Sequence, residues 1–412
     1  MFDNKRKWLT IAVINLSIVA LLGVILRSKI MFSIPGIDFK NFLQSHSHFA
    51  FGGWITLCVL SLMTYEILPE HFYRKPIYKW LLTGVLFCAY GMLFSFPFEG
   101  YAFFSILFST LFIFITYAFA WVFIKDLTKS NCGITVMILS IGALLALVLS
   151  SVGPFTLAYI LATHSVNTLL YRDAIYTYLH LQYNGFFTLG VFALFFNHIG
   201  SMLNPIARKK AKRFATMLTL CVLPTLALSY LWHFENSIIR DIAIVGCGCL
   251  IVTIILFFAM MRSSLIVLKT LNPFAKAIGL LSMIAFSLKT LIQIGIISPS
   301  IGNAVFGDRP IIIGYLHLVM LGFVTLYLLS HLFQANYFNR NKNAAKAGII
   351  IFASGVIVNE LVLMTQGLTA MLRLSSSIYP LLLLIASVWL FSGAALIATS
   401  SLKSFKGVSV IQ

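Results

Sequence analysis

His46-Ser47-His48-Phe49-Ala50-Phe51-Gly52-Gly53-Trp54 opens one long apolar run, and two later runs open in the same way. One reads His180-Leu181-Gln182-Tyr183-Asn184-Gly185-Phe186, the other Tyr315-Leu316-His317-Leu318-Val319-Met320-Leu321-Gly322-Phe323. In each, a histidine is followed after four residues by glycine and then an aromatic side chain. His48, His180 and His317 stand 132 and 137 residues apart. Self-similarity at a fixed period is the signature of a repeated structural unit.

The runs themselves set the fold class. Crossing about 30 Å of hydrocarbon takes about 20 apolar residues as a helix. The chain offers such stretches at 8–26, 45–68, 79–97, 101–124, 133–153, 174–198, 214–232, 238–261, 274–297, 310–335, 346–368 and 378–401. With 60% apolar residues, 10% charged residues and a mean hydropathy of +0.97, the 412-residue chain cannot clothe a water-soluble globule. The expectation is an all-α, polytopic membrane protein of twelve transmembrane helices. It forms one integral domain, with pseudo-threefold four-helix repeats over roughly 1–130, 131–270 and 271–412. The repeated histidines fall on the second, sixth and tenth helices, one per group. The longest outer connection, Pro154 to Asp173, is apolar enough to lie along the interface.

Charge supplies the orientation. Lys and Arg number 29 against 11 Asp and Glu, a net charge of +18. If both termini share a side, that side holds Lys5, Arg6, Lys7, Arg74, Lys75, Lys79, Lys125, Lys129, Arg208, Lys209, Lys210, Lys212, Arg213, Arg262, Lys269, Lys276, Arg340, Lys342, Lys346, Lys403 and Lys406. The other side holds only Arg27, Lys29, Lys40, Arg172, Arg240, Arg309 and Arg373. The positive-inside rule then predicts a cytoplasmic (inner) membrane protein with both ends cytoplasmic. The basic surplus reads as topology and lipid contact rather than as a nucleic-acid footprint. Lys5-Arg6-Lys7 and the apolar run behind it resemble a signal peptide. With no small-x-small cleavage site before Arg27, a retained first helix is expected.

On this map the three repeated histidines start their helices from the outer side. They lie about 6–10 Å below its boundary at 1.5 Å per residue. Imidazoles at a common depth are candidates for one site, because polar groups inside a membrane are costly. Imidazole is also the usual axial ligand of haem and a ligand of copper or zinc. His46, His48, His180 and His317 are therefore the candidate ligands. Gly53 and Gly322 are the small residues that would let a macrocycle, or a neighbouring helix, approach closely. His71, His198, His233 and His331 fall at helix ends and read as interfacial, and His164 lies in a connection. Lys289 and Glu360 sit at similar depth on the ninth and eleventh helices. They can pair with each other, or serve a haem propionate or proton transfer. Glu66 and Tyr65 read as ordinary interfacial residues. The six cysteines carry no ligand spacing, and Cys247 and Cys249 point to opposite sides of a helix. Phosphate-binding glycine loops and nucleophile elbows do not occur.

These segments resemble the haem–copper oxidase catalytic-subunit (subunit I) superfamily, of which this chain looks like a short, divergent member. The resemblance implies twelve core helices and metal ligands near the outer face. By it, His48 or His46 together with His317 would be the axial ligands of a low-spin b-type haem. His180 would stand at a copper-ligand position with Tyr183 one turn later. The chain departs from the family at Tyr315, where a high-spin haem ligand is expected. It departs again on the seventh helix, where Thr216-Met217-Leu218-Thr219-Leu220-Cys221-Val222-Leu223-Pro224 carries no histidine pair. The resemblance therefore implies electron transfer or handling of a diatomic gas (O2 or NO), without oxygen reduction. If the protein is an enzyme, it would be a haem-dependent membrane oxidoreductase. The partner would be an electron-donor protein or a quinol. A copper or zinc site built from His46, His48, His180 and His317 is the alternative, in a transporter, sensor or accessory factor. An unrelated secondary transporter predicts twofold symmetry, which the threefold spacing does not offer.

Overall fold

The computed structural model describes residues 2–233, 237–338, 342–372, 374 and 376–406, and every regular element among them is helical. The first six long apolar helices are α1 (Asn4–Met31), α2 (Phe39–Ile67), α3 (Pro76–Glu99), α4 (Phe103–Leu127), α5 (Ile134–Ala162) and α6 (Thr168–Met202). Next comes α7, a pair of helices, Pro205–Leu220 and Val222–Tyr230, bent by 40° at Cys221. The series ends with α8 (Ser237–Ser263), α9 (Pro273–Gly295), α10 (Arg309–Gln334), α11 (Lys342–Met371) and α12 (Ile378–Lys403). Among the described residues eleven helices are long and apolar enough to cross a bilayer, and α7 makes twelve if its two halves form one span. Arg340 and Arg373 of the charge map lie outside the described residues.

The connection expected from Pro154 to Asp173 is instead mostly helix. Val152–Ala162 continues α5 after a break at Ser151, and Thr168–His180 is already α6. Pro154 is tolerated because it stands in the first turn after the break, where its missing N–H has no carbonyl to meet.

Burial sorts the helices into a centre and a ring. Residues 52–64 of α2, 184–196 of α6 and 322–333 of α10 are buried without interruption. A helix buried on every face has no lipid-facing or water-facing side and must be enclosed by other helices. These three touch one another directly. Trp54 Nε1 donates to Thr325 Oγ1 at 3.0 Å, Phe51 meets Phe187 at 5.4 Å, and Phe192 meets Phe323 at 5.9 Å. Around them the remaining helices pack in sequence, α3 on α4, α4 on α5, α7 on α8, α8 on α9 and α11 on α12, and α12 closes on α1. Ser401 of α12 donates to Thr10 Oγ1 of α1 at 3.0 Å, which joins the two ends of the chain at one end of the bundle. The ring turns Trp80, Phe94, Trp121, Ile255 and Met364 outward, a surface that suits hydrocarbon rather than water.

The enclosed halves give way abruptly toward the histidine end. On α10 every residue from Pro310 to Leu318 is half-exposed, although the helix is central. On α2 the change falls at Phe51, and on α6 the positions from Ile175 to Leu179 are half-exposed. There the three helices are less tightly enclosed by their neighbours.

Candidate functional site

Each change in burial lies at or just before a stretch of π-helix: Ala50–Thr56 in α2, Leu181–Phe187 in α6 and Leu318–Thr325 in α10. Such wide turns are rare, and they free a carbonyl from the ordinary ladder. Inside a membrane that carbonyl needs a partner. Asn15 Nδ2 of α1 donates to the Gly53 carbonyl at 2.7 Å, and Tyr90 donates to Asn15 Oδ1 at 2.8 Å. Ser282 of α9 donates to the Phe323 carbonyl at 2.7 Å, and Thr188 donates to the Tyr183 carbonyl at 2.6 Å. The repeated glycines serve helix packing: a Cβ on Gly322 would meet Ala285 of α9 at 3.2 Å, and one on Gly185 would collide with Ala146 of α5. Gly53 is buried and backs onto the ring of Phe49 in its own helix.

The four candidate histidines separate into a pair and two outsiders. His46 lies with Nδ1 3.1 Å from the Val19 carbonyl of α1, and His317 with Nδ1 2.8 Å from the Ile313 carbonyl one turn back. A carbonyl only accepts, so Nδ1 carries the proton in both rings and Nε2 is left as a lone-pair donor. The two imidazoles are close enough for a charge on one to bear on the other, and the Arg27 guanidinium bears on both. Among the described residues Arg27 has no hydrogen-bonding or ion-pair partner. Arg27 thus places a cation whose field reaches both imidazoles, where α10 is half-exposed.

His48 points elsewhere. Its Nε2 meets the Tyr101 hydroxyl at 3.0 Å, and its ring stacks on Phe96 of α3 at 4.5 Å. His180 is fully engaged. Its Nε2 donates to the Val222 carbonyl at 2.9 Å, and its Nδ1 accepts from Asn184 Nδ2 at 3.2 Å. Val222 begins the second half of α7, so His180 ties down a carbonyl at the bend. The four-histidine metal set is therefore not assembled, and among the described residues no three His, Cys, Asp or Glu side chains are placed to hold a metal ion.

Lys289 and Glu360 do not pair. Lys289 Nζ donates to Asn184 Oδ1 at 2.7 Å, and Glu360 Oε1 accepts from its neighbour Asn359 at 3.0 Å. Tyr183 and Tyr315 meet edge to face at 5.7 Å on one wall of a cavity that also touches His180.

At the opposite end lies a second cluster that the sequence reading passed over. Glu66 of α2 meets Lys5 of α1 at 3.0 Å, His331 Nε2 of α10 at 2.7 Å and the Tyr337 hydroxyl at 3.2 Å. His198 packs edge to face on His331 at 5.7 Å, and Asn197 donates to the Glu66 carbonyl at 2.9 Å. Glu66 and His331 are thus bonded to each other near the ends of α2 and α10, with His331 buried and Glu66 partly so. The signal was present: Glu66 is the only carboxylate in its run, and a lone carboxylate among apolar residues must find a partner.

No family model matches this chain, and no curated protein matches it either.

Proposed function

We propose that the protein is a membrane haem protein that holds one low-spin b-type haem between His46 and His317 and passes single electrons through it. The observation that carries the reading is that each of these two imidazoles has Nδ1 held by a backbone carbonyl and no hydrogen bond on Nε2. A carbonyl on Nδ1 fixes the ring orientation and strengthens Nε2 as a ligand. Two imidazoles suit a metal whose other four ligands come from a macrocycle. A bare copper or zinc ion asks for three or four protein ligands, and His48 and His180 have turned away.

Arg27, whose charge reaches both imidazoles, suits the propionates. When bound, a haem would supply one-electron redox chemistry, and His46 and His317 would be the residues that hold it. The chain's own part is to orient the two rings, to seal the lower half of the bundle with the buried stretches of α2, α6 and α10, and to hold a positive charge at Arg27. The electron donor is a quinol or a donor protein. The π-turn after each repeated histidine, and the place of one central helix in each group of four, support the pseudo-threefold reading. The distribution of Lys and Arg supports a cytoplasmic membrane with both ends cytoplasmic and the histidine end outward.

The test is a reduced-minus-oxidised spectrum of the full chain, purified in detergent from haem-replete cells. A sharp Soret band and split visible bands are expected, with one haem per chain. A colourless protein whose metal content is unchanged in His317→Ala would overturn the reading, and stoichiometric copper or zinc without haem would replace it.

A further inference from the structure

Beside the histidine pair, and independent of it, lies a cavity of about 60 Å³ between α6, α7, α9 and α10. At about 10–15 Å³ per water-sized group, it has room for about four such groups. Its polar lining includes Tyr183, Asn184, Gln293 and Tyr315, and it contains no carboxylate. Directly behind Asn184 stands Lys289, 2% exposed, with its ammonium on Asn184 Oδ1 at 2.7 Å. An ammonium in that setting, with a neutral amide as its acceptor, pays a desolvation penalty of several kcal/mol that one hydrogen bond does not offset.

The surrounding groups are oriented in one sense. Lys289 donates to Asn184, Asn184 donates to His180, and His180 donates to the Val222 carbonyl. That chain of donors polarises the Asn184 amide, whose second N–H lies on the side of Tyr315. The Tyr183 hydroxyl makes no hydrogen bond among the described residues. Gln293 Oε1 is buried without a partner and Gln293 is 3% exposed, while the Tyr315 hydroxyl makes no close hydrogen bond and faces the Asn184 amide. Two phenols and one amide with spare capacity, one buried positive charge and no acid make a site for a negative guest. The Gln293 amide offers either its oxygen or its nitrogen by turning about its last bond. Above the cavity Arg172 holds the Phe306 carbonyl at 2.5 Å and lies over the Trp232 ring at 4.2 Å, so a second cation stands at the roof.

We propose that this cavity binds a small monovalent anion of about three heavy atoms, with Lys289 supplying the counter-charge and Tyr183, Tyr315 and Gln293 the hydrogen bonds. The probes are azide, nitrite and thiocyanate, added to the detergent-purified full chain. The readouts are the melting temperature and, for azide, the infrared stretch. Wild-type protein is expected to show a saturable rise in melting temperature and a narrowed, shifted azide band. Lys289→Met is expected to weaken binding by at least about tenfold. The double variant Tyr183→Phe with Gln293→Leu, which keeps the buried ammonium, is expected to weaken it as well. His317→Ala is expected to leave it unchanged, so loss of haem and loss of the anion site are read separately. The proposal is overturned if none of the three anions binds saturably. It is also overturned if binding survives both the lysine and the double variant, or if it disappears with His317→Ala, which would move the anion to the haem.

Discussion

The segments around His317 and His180 share a histidine, a glycine five residues on, an aromatic after it and a π-helical turn, yet they have opposite fates. His317 spends only Nδ1 on the protein, on a carbonyl of its own helix, and keeps Nε2. His180 spends both nitrogens, one on Asn184 and one on the bend of α7. The difference lies in the neighbours. On α6 the fourth residue after the histidine is Asn184, which Lys289 orients toward the ring, and α7 is broken so that Val222 presents a carbonyl. On α10 the corresponding residue is Leu321, which has no such hold on the ring. A histidine is a ligand only when its surroundings leave it a nitrogen, and a shared motif does not guarantee that.

The largest effect should come from breaking the pair. His317→Ala and His46→Ala are each expected to abolish the Soret band, while His180→Ala and His48→Ala keep it. Haem stoichiometry in the purified proteins decides the matter, and a haem lost with His180 but retained without His46 would invert the comparison. Next in size is Asn184→Leu, which strands the Lys289 ammonium and His180 Nδ1 together. It should destabilise the protein by about 3 kcal/mol, because a buried donor that loses its acceptor forfeits the full desolvation cost and a charged one forfeits more. Unfolding in mixed micelles would measure this, with the haem spectrum of the folded fraction unchanged.

Smaller still are the bonds that satisfy the π-turns. Asn15→Leu leaves the Gly53 carbonyl and the Tyr90 hydroxyl without their partner and is expected to cost about 1–3 kcal/mol. Because the Gly53 turn follows His46, it should also broaden the haem bands, whereas Thr188→Val on α6 should lower stability without touching them. The smallest effect is expected for Trp54→Phe, which removes the hydrogen bond to Thr325 between two central helices at about 1 kcal/mol. A much larger loss there would mean that the three central helices depend on that bond rather than on their apolar packing.

Much of the architecture was legible in the chain. Apolar runs of membrane-spanning length mark eleven helices and both halves of α7, because hydrocarbon leaves the backbone no alternative to internal hydrogen bonding. The repeated histidines picked out α2, α6 and α10, the three helices that prove central. Less legible was the break at Ser151, since a serine before Val152-Gly153-Pro154 looks like the end of a helix and turns out to be a restart within one. The pairing of Glu66 with His331 was also hidden, because they are 265 residues apart and only helix packing brings them together.

Composition and periodicity by themselves determined that this is an all-helical membrane protein with a histidine repeated on three of its long helices. They act through hydropathy and helix length, which are properties of single segments. Only the tertiary structure decided which of those histidines keeps a free nitrogen. It also turned Lys289 toward Asn184 instead of Glu360 and left Gln293 Oε1 without a partner beside a cavity. Those outcomes depend on which helix faces which and on the side chain that each neighbour presents. No single segment carries that information, because a hydrogen bond between helices needs both partners at the same depth and on facing sides.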